Sequence, residues 1–75
     1  LEYESTYKNN STKKLQNVKI KDGLPIGTNL GSISCTSTPS GNTCSTKDSG
    51  GYLEWELTGL LTPATEGSVR FCVNQ

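Results

Sequence analysis

Two runs of strictly alternating residues constrain this chain more than any other feature. Leu53, Trp55 and Leu57 are separated by Glu54 and Glu56, and Val69, Phe71 and Val73 are separated by Arg70 and Cys72. Successive side chains of an extended strand point to opposite faces. A period of two therefore puts each apolar triplet on one face and its polar neighbours on the other. A helix would scatter the same residues around its circumference. Both runs predict strands with one buried face.

The same period recurs upstream. Leu1, Tyr3 and Tyr7 alternate with Glu2, Glu4, Thr6 and Lys8, and Val18 and Ile20 alternate with Asn17, Lys19 and Lys21. Asp22-Gly23 ends the second of these strands, and Pro25, which lacks an N–H, turns the chain out of the sheet. Leu30 and Ile33 mark a weaker strand reaching Cys35. Asn9 to Lys14 reads as a polar turn, and Leu60 to Gly67 as a connection carrying Pro63. Residues 36–51 are almost all Ser, Thr, Gly, Asn and Pro, which predicts a loop of about 16 residues, long for a compact domain. No stretch predicts a helix of useful length. Short strands separated by turn signals indicate one all-β domain over residues 1–75, a sandwich. Its core would come from Tyr7, Val18, Ile20, Trp55, Leu57, Val69, Phe71 and Val73.

Size limits what such a domain can do. With 75 residues, only eight Leu, three Ile, three Val and five aromatic residues are available for the core. That fills one thin layer and leaves no room for a deep ligand cavity. A chain of this length buries only about 60% of its unfolded surface and needs a staple to be robust. Ser and Thr supply 19 of the residues, a composition that fits disorder as well as Thr-rich exposed strand faces. The alternating apolar runs favour the folded reading. A formal net charge of zero argues against nucleic acid and anionic membrane surfaces. No apolar run is long enough to cross a bilayer as a helix. The lack of an initiator Met and of a signal peptide reads as a mature fragment.

There are three cysteines, and in an exported protein an odd count leaves one thiol over or paired between chains. Cys35 and Cys44 bracket the Ser/Thr-rich stretch. Closing that loop of roughly ten residues would contribute about 2.5–3 kcal/mol by the chain-entropy relation. Cys72 lies on the face opposite Val69 and is the odd one. The alternative is three free thiols in a reducing compartment. A metal site is not expected, since there is no His and no C-x-x-C spacing.

Catalysis is not expected either. Without His the commonest base and the usual Ser and Cys triads are missing. Glu54 and Glu56 share a strand face, as a pair of glycosidic carboxylates would, but outward glutamates on a strand more often form a solvated face. Asn9-Asn10-Ser11 and Asn10-Ser11-Thr12 satisfy the glycosylation sequon, which a polar turn also explains.

Taken in order, Tyr7-Lys8-Asn9-Asn10, Leu15 to Asp22 and Leu24-Pro25-Ile26-Gly27 form a distinctive series. Gly51 to Leu57, Leu60 to Pro63 and Val69 to Val73 complete it. This series resembles the repeat domain of bacterial and archaeal surface proteins known as domain of unknown function 11. The resemblance covers nearly the whole chain. It implies a small immunoglobulin-like Greek-key sandwich. That family has one further strand upstream of residue 1, and its absence would leave a sheet edge unpaired and open to another chain. The family's late Pro-Gly is replaced here by Pro63-Ala64-Thr65-Glu66-Gly67.

The chain also resembles the related fimbrial isopeptide-forming domains around Asp22 and Asn74. There a lysine on an early strand joins an asparagine on the last while an acid shuttles protons. Lys8 is the available lysine, though it lies one strand late. Burial of the trio together would be required.

The resulting expectation is a non-catalytic structural module of an extracellular or cell-surface protein or filament, without cofactor or metal. Its partner would be another protein chain at an unpaired sheet edge or a neighbouring domain. Two alternatives stay open. One is an adhesin or pilin-like binding subunit that uses the Cys35–Cys44 loop and the Tyr52 face, and the other is an intramolecular isopeptide-forming domain.

Overall fold

The computed structural model describes Leu1–Asn74 and is all-β, with no helix among those residues. Six strands follow in order: β1 (Glu2–Lys8), β2 (Val18–Gly23), β3 (Asn29–Ser37), β4 (Thr43–Asp48), β5 (Tyr52–Thr58) and β6 (Glu66–Asn74). They form two three-stranded antiparallel sheets, ordered β1-β6-β3 and β2-β5-β4. The two apolar triplets thus lie on the central strand of each sheet. Leu53, Trp55, Val69, Phe71 and Val73 make one buried cluster, so the sheets pack face to face. Leu57 and Leu61 are buried as well.

Rings fix how the layers meet. Tyr3 stacks on Phe71 with centroids 5.0 Å apart, and Phe71 meets Trp55 across the sandwich at 6.1 Å. Both are aromatic separations that add to plain area burial. Trp55 Nε1 donates to Ser34 O at 3.0 Å, so the only polar atom of this buried ring is satisfied by a strand of the opposite sheet. Of the expected core, Trp55, Leu57, Val69, Phe71 and Val73 are buried, while Tyr7, Val18 and Ile20 are half-buried.

Four expectations need correction. The long loop over 36–51 is not a loop: β3 runs on to Ser37, and Thr43–Asp48 pairs with β5 as a sixth strand. Only a five-residue turn separates them, closed by Asn42 N donating to Pro39 O with Gly41 at positive φ. Leu1, expected on the half-buried Tyr3 and Tyr7 face, stands 75% exposed beyond the end of β1, where the core does not reach. The Asn9–Lys14 turn is not simply polar surface, because Asn9 is buried. Lys8, Asp22 and Asn74 are not brought together. Lys8 stands opposite Glu66, at the other end of β6 from Asn74, and eight residues of strand span about 26 Å.

Candidate functional site

Asn9 organises the end of the sandwich where β1 stops. Its Nδ2 donates to Lys13 O (2.8 Å) and Leu61 O (2.9 Å), and its Oδ1 accepts from Ser11 N (2.9 Å) and Ser11 Oγ (2.7 Å). The backbone adds Asn9 N to Thr65 O and Ala64 N to Asn9 O. Every hydrogen-bonding position of the amide is used, which is what lets a polar group sit in the interior without a desolvation loss. With the Leu15–Leu61 bridge, this ties the β1–β2 connection to the β5–β6 connection. The Asn9 amide is committed to this network, so of the two sequons only Asn10 presents an exposed side chain.

The cysteines divide into two roles. Cys35 and Cys44 form a disulfide, with Cα atoms 6.3 Å apart. Because Cys35 is on β3 and Cys44 on β4, the bond joins one sheet to the other and does more than close a turn. Cys72 is unbonded and half-buried on the outer face of β6, its Sγ 3.9 Å from Glu2 Oε2.

The outer face of β2-β5-β4 is a charge ladder. Lys19 Nζ lies 3.6 Å from Glu56 and Lys21 Nζ 3.8 Å from Glu54, and Lys47 is the cross-strand neighbour of Glu54 on its other side. Each glutamate therefore has a lysine partner. Beside this ladder an open depression is lined by Lys21, Asp22, Gly23 and Tyr52, with the Lys21 ammonium 5.7 Å from the Tyr52 ring centre. Tyr52 is 43% exposed and is the one strongly exposed aromatic ring among the described residues.

The free side of β1 differs from all of this. Leu1 and Val73 exchange backbone hydrogen bonds, and Asn9 N donates to Thr65 O. Backbone groups alternate sides along a strand, so the odd residues of β1 face β6 and Glu2, Glu4, Thr6 and Lys8 turn their N–H and C=O outward. The pairing of β1 with β6 is unbroken from Glu2 to Lys8, whereas β3 at the other edge has register shifts at Leu30/Ser32 and Cys35/Ser37. β1 is thus an uninterrupted edge carrying unpaired backbone groups, a feature open to another strand.

Tyr7 anchors the inner side of this edge. Its ring lies over Gly67, where a Cβ would meet the phenol and come within 2.6 Å of Ser37 O. Its hydroxyl is 3.5 Å from Ser37 O, and burial raises its pKa above the ordinary tyrosine value. No group of His, Cys, Asp or Glu capable of holding a metal occurs among the described residues. No family model, curated protein or solved structure matches the chain.

Proposed function

We propose that this chain is a non-catalytic structural module of an extracellular or cell-surface protein or filament, serving assembly. The observation that carries this reading is the Cys35–Cys44 disulfide braced between the two sheets. Small domains with thin cores rely on such bonds where the surroundings are oxidising, and cytosolic domains rarely keep them. The repeated switching of the chain between sheets supports an immunoglobulin-like Greek-key sandwich of the surface-repeat type. Leu1 and Val73 are paired neighbours, so the chain enters and leaves at one end of a body 41 × 19 × 17 Å.

Thiol trapping in producing cells tests the reading. Alkylation before reduction is expected to label Cys72 and to spare Cys35 and Cys44, and the protein is expected outside the cytoplasm. A protein labelled on all three cysteines and confined to the cytoplasm would overturn it.

A further inference from the structure

The β1 edge is self-complementary. We propose that it pairs antiparallel with the β1 edge of a second copy of this chain, centred on Ser5, so that two sheets become one continuous sheet ordered β3-β6-β1-β1-β6-β3. The inference rests on the assembly reading above and names the partner that reading leaves open.

Three observations converge on this register. The first is backbone parity. Glu2, Glu4, Thr6 and Lys8 are the residues whose N–H and C=O groups face away from β6. An antiparallel pair bonds only when outward-facing residues oppose each other. Centring on Ser5 sets Glu2 against Lys8 of the other copy and Glu4 against Thr6, and by symmetry the reverse. All four outward residues are used on each chain, giving about eight interchain hydrogen bonds, two for each bonded pair.

The second observation is charge. Lys8 makes no ion pair within its own chain among the described residues, although Glu66 is its cross-strand neighbour. In the proposed register the Lys8 ammonium lies directly across from Glu2 of the other copy and diagonal to Glu4, on the outer face. Glu2, which already holds Arg70 at 3.3 Å, gains a second cation. Charged residues on an edge strand usually repel a visiting strand. Here the pattern E-Y-E-S-T-Y-K reads as its own complement in reverse, so the same charges that reject a mismatched strand accept a copy. On the inner face Tyr3 meets Tyr7, an aromatic cross-strand pair.

The third is that the other edges lack these properties. The two register shifts interrupt β3. A self-pairing of β2 centred on Ile20 sets Lys19 against Lys21, and one centred on Lys21 sets that lysine against its own copy; like charges directly opposed are unfavourable. Thr46 and Asp48 of β4 fall on the same side as Cys44 and set polar groups on its inward face, a device that discourages strand addition.

A single strand-to-strand contact is small, so the dimer belongs at the weak end of association, with Kd on the order of high micromolar. Site-specific cross-linking reads it without needing tight binding. In a Cys72→Ser background, Ser5→Cys puts two cysteines opposite one another at a non-hydrogen-bonded pair, with Cα atoms about 4.5 Å apart, within disulfide reach. Thr6→Cys puts them about 8 Å apart, beyond it. The expected result is rapid oxidation of the Ser5→Cys protein to a covalent dimer while the Thr6→Cys protein stays monomeric. Equal cross-linking of the two, or none in either, overturns the register.

Charge reversal provides the independent measurement. By sedimentation at protein concentrations up to about 1 mM, Lys8→Glu is expected to weaken dimerisation about tenfold, because both symmetry-related pairs become repulsive. Adding Glu2→Lys to that variant restores opposite charges and is expected to recover most of the loss. Unchanged association in Lys8→Glu, or a wild-type chain that remains monomeric throughout, overturns the proposal. Either result leaves the extracellular-module reading intact, since that stands on the thiol-trapping pattern and not on self-association.

Discussion

The two sheets of this sandwich are nearly equal inside and unlike outside. Each contributes an alternating apolar row from its central strand, Leu53, Trp55 and Leu57 on one and Val69, Phe71 and Val73 on the other. Outside, the β2-β5-β4 face pairs both of its glutamates, in Lys19–Glu56 and Lys21–Glu54, and carries Lys47 beside Glu54. The β1-β6-β3 face has one such pair, Arg70–Glu2, and leaves Lys8 without an ionic partner at the free edge. Both sheets end in strands with a free backbone side; at β1 that side carries a charge order, from Glu2 to Lys8, that is complementary to its own reverse. Inner symmetry and outer asymmetry therefore separate what holds the fold from what the fold offers to others.

The largest effects should come from the shared interior. Trp55→Ala and Phe71→Ala each delete a buried ring from one sheet, and each is expected to cost about 3–5 kcal/mol in denaturant unfolding. Because the rings meet across the sandwich, the double variant should cost less than the sum of the singles. Fully additive losses would show that the two rows stabilise their sheets separately. Trp55→Phe keeps an aromatic ring but removes both the indole donor to Ser34 O and part of the buried volume, so its cost should fall below that of Trp55→Ala.

How much of this was legible in the chain follows from where apolar residues alternate. β5 and β6 are plain because each places three large apolar side chains two residues apart. β4 is not, because Thr43 to Asp48 contains no large apolar residue and so has no period to read. It is a strand through its pairing to β5 and its bond to β3. The cue that was available is the Pro39-Ser40-Gly41-Asn42 turn flanked by Thr-containing runs, a hairpin-like signal inside an apparent loop. Asn9 could not be separated from Asn10 by type. Its burial depends on a carbonyl at Leu61, fifty-two residues away. The alternation of β1 extended to Leu1 on paper, but the core does not reach that far. Asp22 and Asn74 are well placed along the chain for an isopeptide, yet strand register sends Lys8 to the opposite end of β6 from Asn74. The candidate edge was foreseeable as an unpaired strand. Its outward-facing residues were not, since that parity is set by hydrogen bonds at Leu1 and Asn9.

The next effects distinguish the closed end of the molecule from its open edge. Asn9→Ala removes four side-chain hydrogen bonds and leaves Leu61 O with the Leu15 N–H as its one remaining donor, for an expected loss of about 1–3 kcal/mol. Asn9→Asp should be at least as damaging, because it replaces two donors by acceptors facing carbonyls. An Asn9→Ala protein as stable as the parent would mean that the Leu15–Leu61 bridge holds this end alone. Gly67→Ala drives a methyl group into the Tyr7 phenol and Ser37 O and is expected to cost a similar amount, about 1–3 kcal/mol. Tyr7 also adds a pH signature. Its pKa is raised by burial, so its contribution is present in full below the ordinary value of 10.0 and is lost as pH rises through the higher folded value. Thermal melts should therefore fall above about pH 10, and Tyr7→Phe should lessen that fall.

The smallest effect tests the outer asymmetry directly. Lys19 and Glu56 are both about half exposed, and their coupling in a double-mutant cycle is expected to be about 0.2–1 kcal/mol at low salt. In 1 M salt the screening length contracts to about 3 Å and this coupling should fade. Lys8→Ala, by contrast, should change the stability of the dilute monomer by no more than about 0.5 kcal/mol at any salt concentration, because it has no ion pair to lose there. A salt-sensitive loss in Lys8→Ala at dilution would mean that Lys8 is already neutralised within its own chain, by Glu66 opposite it. The two outer faces would then be alike, and the charge argument for a second copy at β1 would lose its basis.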